Sequence, residues 1–156
     1  MAKANSSRRA GREVALRVLY TVDIGKQPVE EVLNETIAAN DERLDDRTTE
    51  FARSLVVGTL RARAEIDTEL DRVAVGFPTV RQTAVDRNIL RLAAAEILFH
   101  VSDAPPGAVV NEAVELAKKY STNESGRFVN GVLGALVREV EQRQTRPANP
   151  LQPDIV

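Results

Sequence analysis

Cysteine is absent from the 156 residues. Its absence excludes disulfide frameworks, cysteine-ligated metal sites and thiol catalysis. Histidine occurs once, at His100, and no metal-ligand spacing surrounds it. No glycine-rich phosphate loop is present: "GREVALR" and "NGVLGALV" match no nucleotide fingerprint. Serines occur, but none has a visible base beside it. Long apolar runs are also lacking; none approaches the roughly 18 residues of a membrane-spanning helix. The opening "MAKANSSRRAGRE" is basic but leads into no apolar core of a secretory signal, so the default expectation is a cytoplasmic protein. Together these gaps lead to the expectation of a non-enzymatic chain with no cofactor and no metal.

Strand signals are missing as well, with neither sustained alternation nor an Asn-Gly hairpin between apolar runs. Helical spacing dominates, and the length suits one domain or two small subdomains sharing a core. The spacing predicts helices over about Ser7–Ile24, Val29–Ala39, Thr48–Val75 with a bend between Arg61 and Ile66, Thr79–His100, Pro106–Tyr120 and Glu124–Gln142. Counting the bend as a break, this is an all-α chain of about seven helices. Gly25 with Pro28, and Gly76 with Pro78, punctuate the first half. The expected organisation is a flexible stretch over 1–7, a helical domain over 8–142 divided near 78, and a disordered proline-containing tail over 143–156.

The helix over Thr79–His100 is apolar around nearly its whole circumference, so it is predicted to be the central, buried one. Glu96 falls inside its apolar sector. A buried carboxylate needs a partner. Arg87 and Arg91 lie on the same helix and do not reach it easily, so an arginine elsewhere in the chain is implied. Asp103 is placed to cap the next helix, and Ser121 or Thr122 the last one.

Charge is unevenly distributed. The first twenty residues carry Lys3, Arg8, Arg9, Arg12 and Arg17 against Glu13 alone, while the whole chain carries −2. A basic arm on an acidic body suits a polyanion at one end and a basic protein elsewhere; a solvated basic tip is the alternative. On the first helix Val14, Ala15, Val18, Leu19 and Val22 form a core stripe. Arg9, Arg12, Glu13, Arg17 and Tyr20 take the opposite side. Arginines beside an exposed tyrosine ring suit single-stranded RNA better than duplex DNA. On the last helix Gly131, Gly134, Arg127 and Arg138 lie opposite the core face. Glycine costs a helix interior about 1 kcal/mol relative to alanine. Either a second helix crosses at these glycines, or they leave room for a ligand beside Arg127, Phe128 and Asn130.

Three stretches, "RRAGREVALRVLY", "VDRNILRLAAAEIL" and "VNEAVELAKKYSTNESGRFVNGVLGAL", resemble the NusB family of bacterial transcription antitermination factors. They stand in family order and span about residues 8 to 137. The resemblance implies two small helical bundles packed across each other. It implies recognition of the boxA element of ribosomal RNA leader transcripts, together with the small-subunit ribosomal protein NusE, in an RNA polymerase antitermination complex. Carried over by position, the RNA-binding residues are Arg8, Arg9, Arg12 and Tyr20, with Glu124, Arg127, Phe128 and Asn130 at the start of the last helix. The two groups would then form one RNA platform. Phe77 departs from the tryptophan of many relatives, and acidic Glu124 would orient Arg127 or accept a base amino group. Some family members self-associate through the RNA-binding side, so a homodimer is a second expectation. Related domains also begin ribosomal RNA methyltransferases, but this chain has no cysteine nucleophile and no room for a cofactor domain.

Overall fold

A computed structural model describes residues 2–145, with side chains from residue 6 onward. Of the tail expected over 143–156, the residues up to Thr145 continue the last helix and the rest lies outside the described residues. Seven α-helices follow in order: α1 Ala2–Ile24, α2 Val29–Ala38, α3 Asp46–Arg61, α4 Arg63–Val73, α5 Ala84–Phe99, α6 Pro106–Tyr120 and α7 Asn123–Thr145. A 3₁₀ turn, Thr79–Arg81, precedes α5. The described residues hold no strand.

Local chemistry sets most of the boundaries. Gly25 N donates to Thr21 O where α1 ends, and Pro28 occupies the N-cap of α2. Asp45 caps α3 by accepting from Thr48 N. The expected bend is a break at Ala62, whose φ of −100° and ψ of 10° end α3 and start α4. Thr83 caps α5 by accepting from Asp86 N, so the central helix starts later than its apolar pattern suggested. Thr122 accepts from Ser125 N at the start of α7, as expected. Asp103 does not cap α6; Pro105 holds that position without a side-chain hydrogen bond, and Asp103 pairs with Arg8 instead.

Helices α1, α2 and α3 pack together, as do α5, α6 and α7; α5 also lies against α1, α3 and α4, and α4 reaches α7. The bundles thus share α5. Every residue of α5 from Asn88 to Ile97 is buried; Ala84, Val85 and Arg87 at its start are part-buried, and its last turn surfaces, with Phe99 39% exposed. Burying one such Leu or Ile side chain contributes roughly 1.5–3 kcal/mol.

Polar groups fix how α5 seats. Glu96 is 2% exposed and meets Arg12 of α1, itself 5% exposed. Arg12 Nη2 donates to Oε1 at 2.7 Å and Nε to Oε2 at 3.1 Å, while Ser102 Oγ donates to Oε1 at 2.7 Å. Arg12 is the arginine that Glu96 implied. This corrects the placement of Arg12 on the outer side of α1. A second knot joins the same two helices lower down. Asp23 Oδ2 accepts from Arg87 Nη2 at 2.6 Å and from Asn88 Nδ2 at 2.9 Å, and Arg91 bridges to Asp67 of α4. Burial pushes the Asp23 carboxyl upward, but hydrogen bonds from Arg87 and Asn88 and the nearby charge of Arg91 outweigh it and hold it below the usual range.

Two outcomes follow. Glu96→Ala leaves a buried guanidinium without its carboxylate and lowers unfolding free energy by about 3–5 kcal/mol in urea titration. Because the Asp23 pKa is depressed on folding, its contribution is present above the ordinary carboxylate pKa of about 3.9 and disappears as pH falls through the lowered value. Asp23→Asn therefore flattens the acid limb of a stability–pH curve below about pH 4.

Candidate RNA interface

Helix α6 faces α1 across a seam bridged by long polar side chains rather than by close packing of the two helices. Arg9 Nη2 donates to Glu112 Oε1 at 3.0 Å and Nε to Oε2 at 3.1 Å, a two-bond fork. Further on, Lys119 Nζ donates to Glu13 Oε1 at 2.7 Å and Tyr120 Oη to Glu13 Oε2 at 3.2 Å. Arg17 Nη2 then donates to Tyr120 Oη at 3.2 Å. Arg9 and Arg17 stand about 12 Å apart along the helix at 1.5 Å per residue. Their partners Glu112 and Tyr120 have the same spacing, so the two helices run in the same direction.

The seam leads to α7. Tyr120 ends α6, Ser121 Oγ lies 2.9 Å from Ser125 Oγ, and Ser125 Oγ donates to Asp86 Oδ2 at 3.0 Å. The first turn of α7 is thereby fixed to the last turn of α6 and the first turn of α5. Arg9 and Tyr20 face solvent on α1, while Glu124, Arg127 and Asn130 face solvent on α7. Arg8 is half-buried, its guanidinium carbon 5.0 Å from the centre of the Phe51 ring, with Asp103 at 2.9 Å. Phe128 is half-buried and stands edge-on to Phe77, ring centroids 5.4 Å apart. Glu124 and Arg127 make no hydrogen bond or ion pair with each other, so Glu124 does not orient Arg127. Arg12 differs from the rest: its side chain is 7% exposed and engaged by Glu96.

Arg8 and Arg9 are matched by carboxylates from the loop before α6 and from α6, and Arg12 by Glu96 of α5. The hydrogen bond and charge of Glu112 hold the Arg9 guanidinium above its usual pKa, and those of Glu13 do the same for Lys119. The sequence did not single out Arg17, Tyr120 or Lys119 as a group. They converge only because residues more than a hundred apart in sequence meet across the seam.

The glycines resolve against helix crossing. A Cβ at Gly131 would meet nothing within 4 Å, and one at Gly134 would meet only the tip of Arg138. Close approaches lie elsewhere, at Gly58 against Val101 and at Gly11, where a Cβ would sit 2.7 Å from the Phe51 ring, which α3 lays against α1.

The NusB family model matches residues 9–138. The chain belongs to the NusB family. It is 42% identical over 136 residues to the transcription antitermination protein NusB of Heliobacterium modesticaldum, covering 87% of this chain and 65% of that one. The corresponding protein of Symbiobacterium thermophilum is also 42% identical, over 138 residues, covering 85% and 90%. Among solved structures, the antitermination factors NusB and NusE in complex with double-stranded RNA include a chain of TM-score 0.78 and 33% identity, covering 86% of this chain and 98% of that one. The two-bundle, all-α architecture is that of the family. No helix among the described residues is long and apolar enough to cross a membrane.

Opposite outcomes separate the glycines. Gly131→Ala adds a methyl group into open space on a helix and raises stability by about 0.4–1 kcal/mol. Gly11→Ala drives a methyl group into Phe51 and lowers stability by about 1–3 kcal/mol. Urea unfolding of the two variants reads both signs.

Proposed function

We propose that this chain is a non-enzymatic RNA-binding antitermination factor. It recognises boxA of ribosomal RNA leader transcripts together with NusE, as part of an RNA polymerase antitermination complex. The observation that carries the proposal is the α1–α6–α7 surface. An arginine arm, an exposed tyrosine and the first turn of α7 are joined through one seam in a member of a family whose solved relative is complexed with NusE and RNA. Arg8, Arg9 and Arg127 supply cations for phosphate. Tyr20 and Phe128 supply rings for unpaired bases, and Glu124 and Asn130 supply polar edges. Arg12 acts from beneath, holding α1 in place through Glu96.

Binding then requires phosphate to displace the carboxylates now holding the arm. Exposed ion pairs contribute only about 0–1 kcal/mol to stability, so this exchange costs the fold little.

Titration of boxA RNA and a scrambled RNA, with and without NusE, tests the reading; equal affinity for the two RNAs sinks it. Arg9→Ala weakens boxA binding and reduces its salt dependence by up to about one counterion. Glu112→Gln, which releases Arg9 and removes a repelling charge, strengthens binding several-fold at low salt while the melting temperature stays nearly constant.

A further inference from the structure

A cavity of about 500 Å³ opens between α1, α2 and the ends of α5 and α6. It is within the size range of small-molecule sites, about 300–1,000 Å³. Leu16, Val32 and Val85 form an apolar floor. Three kinds of group ring its mouth. Tyr20, 37% exposed, and Tyr120 supply two aromatic rings. Arg17 lines the mouth 5.9 Å from the centre of the Tyr120 ring, while Lys119, 5.5 Å from that centre, stands outside the lining and is held by Glu13. Across from them stands Glu35 of α2, an exposed carboxylate with no partner among the described residues.

An apolar slot with aromatic walls accepts a planar ring. A cation on one lip accepts a phosphate attached to it, and an unengaged carboxylate on the other accepts hydrogen bonds from an amino group. One chemical species has all three parts. Resting on the RNA reading above, we propose that this cavity seats a single unpaired nucleobase carrying an exocyclic amino group. Its ring lies beside Tyr20 and Tyr120, its amino edge donates to Glu35, and its phosphate meets Arg17. A base stacked in a duplex does not present its face, so the seat selects a strand position left unpaired. Helix α2, which carries none of the RNA-binding residues expected from sequence, thereby gains a part in reading the RNA.

Abasic scanning of single-stranded boxA RNA tests this. With the unmodified chain, removing the seated base costs about tenfold in affinity. Ala39→Leu, which fills the α2 end of the cavity without touching an arginine or a tyrosine, costs a similar factor on intact RNA. Removing that same base then costs this variant nothing further. Glu35→Gln, on the exposed rim, reduces discrimination at that position between an amino-bearing base and one lacking the group. The proposal is overturned if the unmodified chain prefers boxA to scrambled RNA and Ala39→Leu binds as tightly. It is equally overturned if every abasic penalty persists in Ala39→Leu. Should Ala39→Leu lose its cooperative melt, Glu35→Gln decides alone, and unchanged base preference overturns the seat. A chain that does not distinguish boxA from scrambled RNA fails at the earlier reading, a different result from any of these.

Discussion

The Arg12–Glu96 pair is the constraint on which the arrangement rests. A buried carboxylate on an otherwise apolar helix is tolerated only with a partner of matched charge and geometry. The partner comes from α1, with Ser102 completing the set. Apolar contacts alone would let α1 slide or rotate on α5 at small cost. A multiply bonded ion pair inside the core has one satisfactory register. Fixing Arg12 inward fixes where Arg9, Arg17 and Tyr20 emerge. The surface proposed to meet RNA is thus a consequence of a bond beneath it.

The Asp23 knot acts on the same pair of helices further along α1. It draws in Arg87, Asn88 and Arg91 from α5 and, through Arg91, Asp67 from α4. Two polar anchors on one helix pair define both position and angle. That explains how an interface built largely of interchangeable Ala, Val and Leu side chains acquires a single seating.

The stripes of α1, α6 and α7 were legible because one-sided burial imposes a 3.6-residue period on a sequence. So was the burial of α5, and so was the need of Glu96 for a distant arginine. The identity of that arginine was not. Placed on a wheel, Arg12 borders the stripe, one turn before Leu16 and two before Leu19, but its charge argued for the outer side, and a wheel knows nothing of the α5 carboxylate that faces it. The same blindness assigned Asp103 to a cap when Arg8 was its partner, and left a crossing helix open at glycines that no other helix approaches. Positions for an RNA surface came from family motifs rather than from periodicity. The meeting of Arg17, Lys119 and Tyr120 was not readable from either, because it depends on how α6 lies along α1.

The carboxylates along the seam have one further implication. A cationic surface in salt solution normally gathers mobile anions, and losing them favours association with a polyanion. Here Glu112, Asp103 and Glu13 already occupy that place as tethered counter-ions. They cannot diffuse away when a phosphate arrives; they stay close and repel it. Random polyanions are therefore held more weakly than the number of arginines suggests, and the molecule is spared being a general trap for nucleic acid. What remains to favour one strand over another is the part of the surface that does not respond to charge.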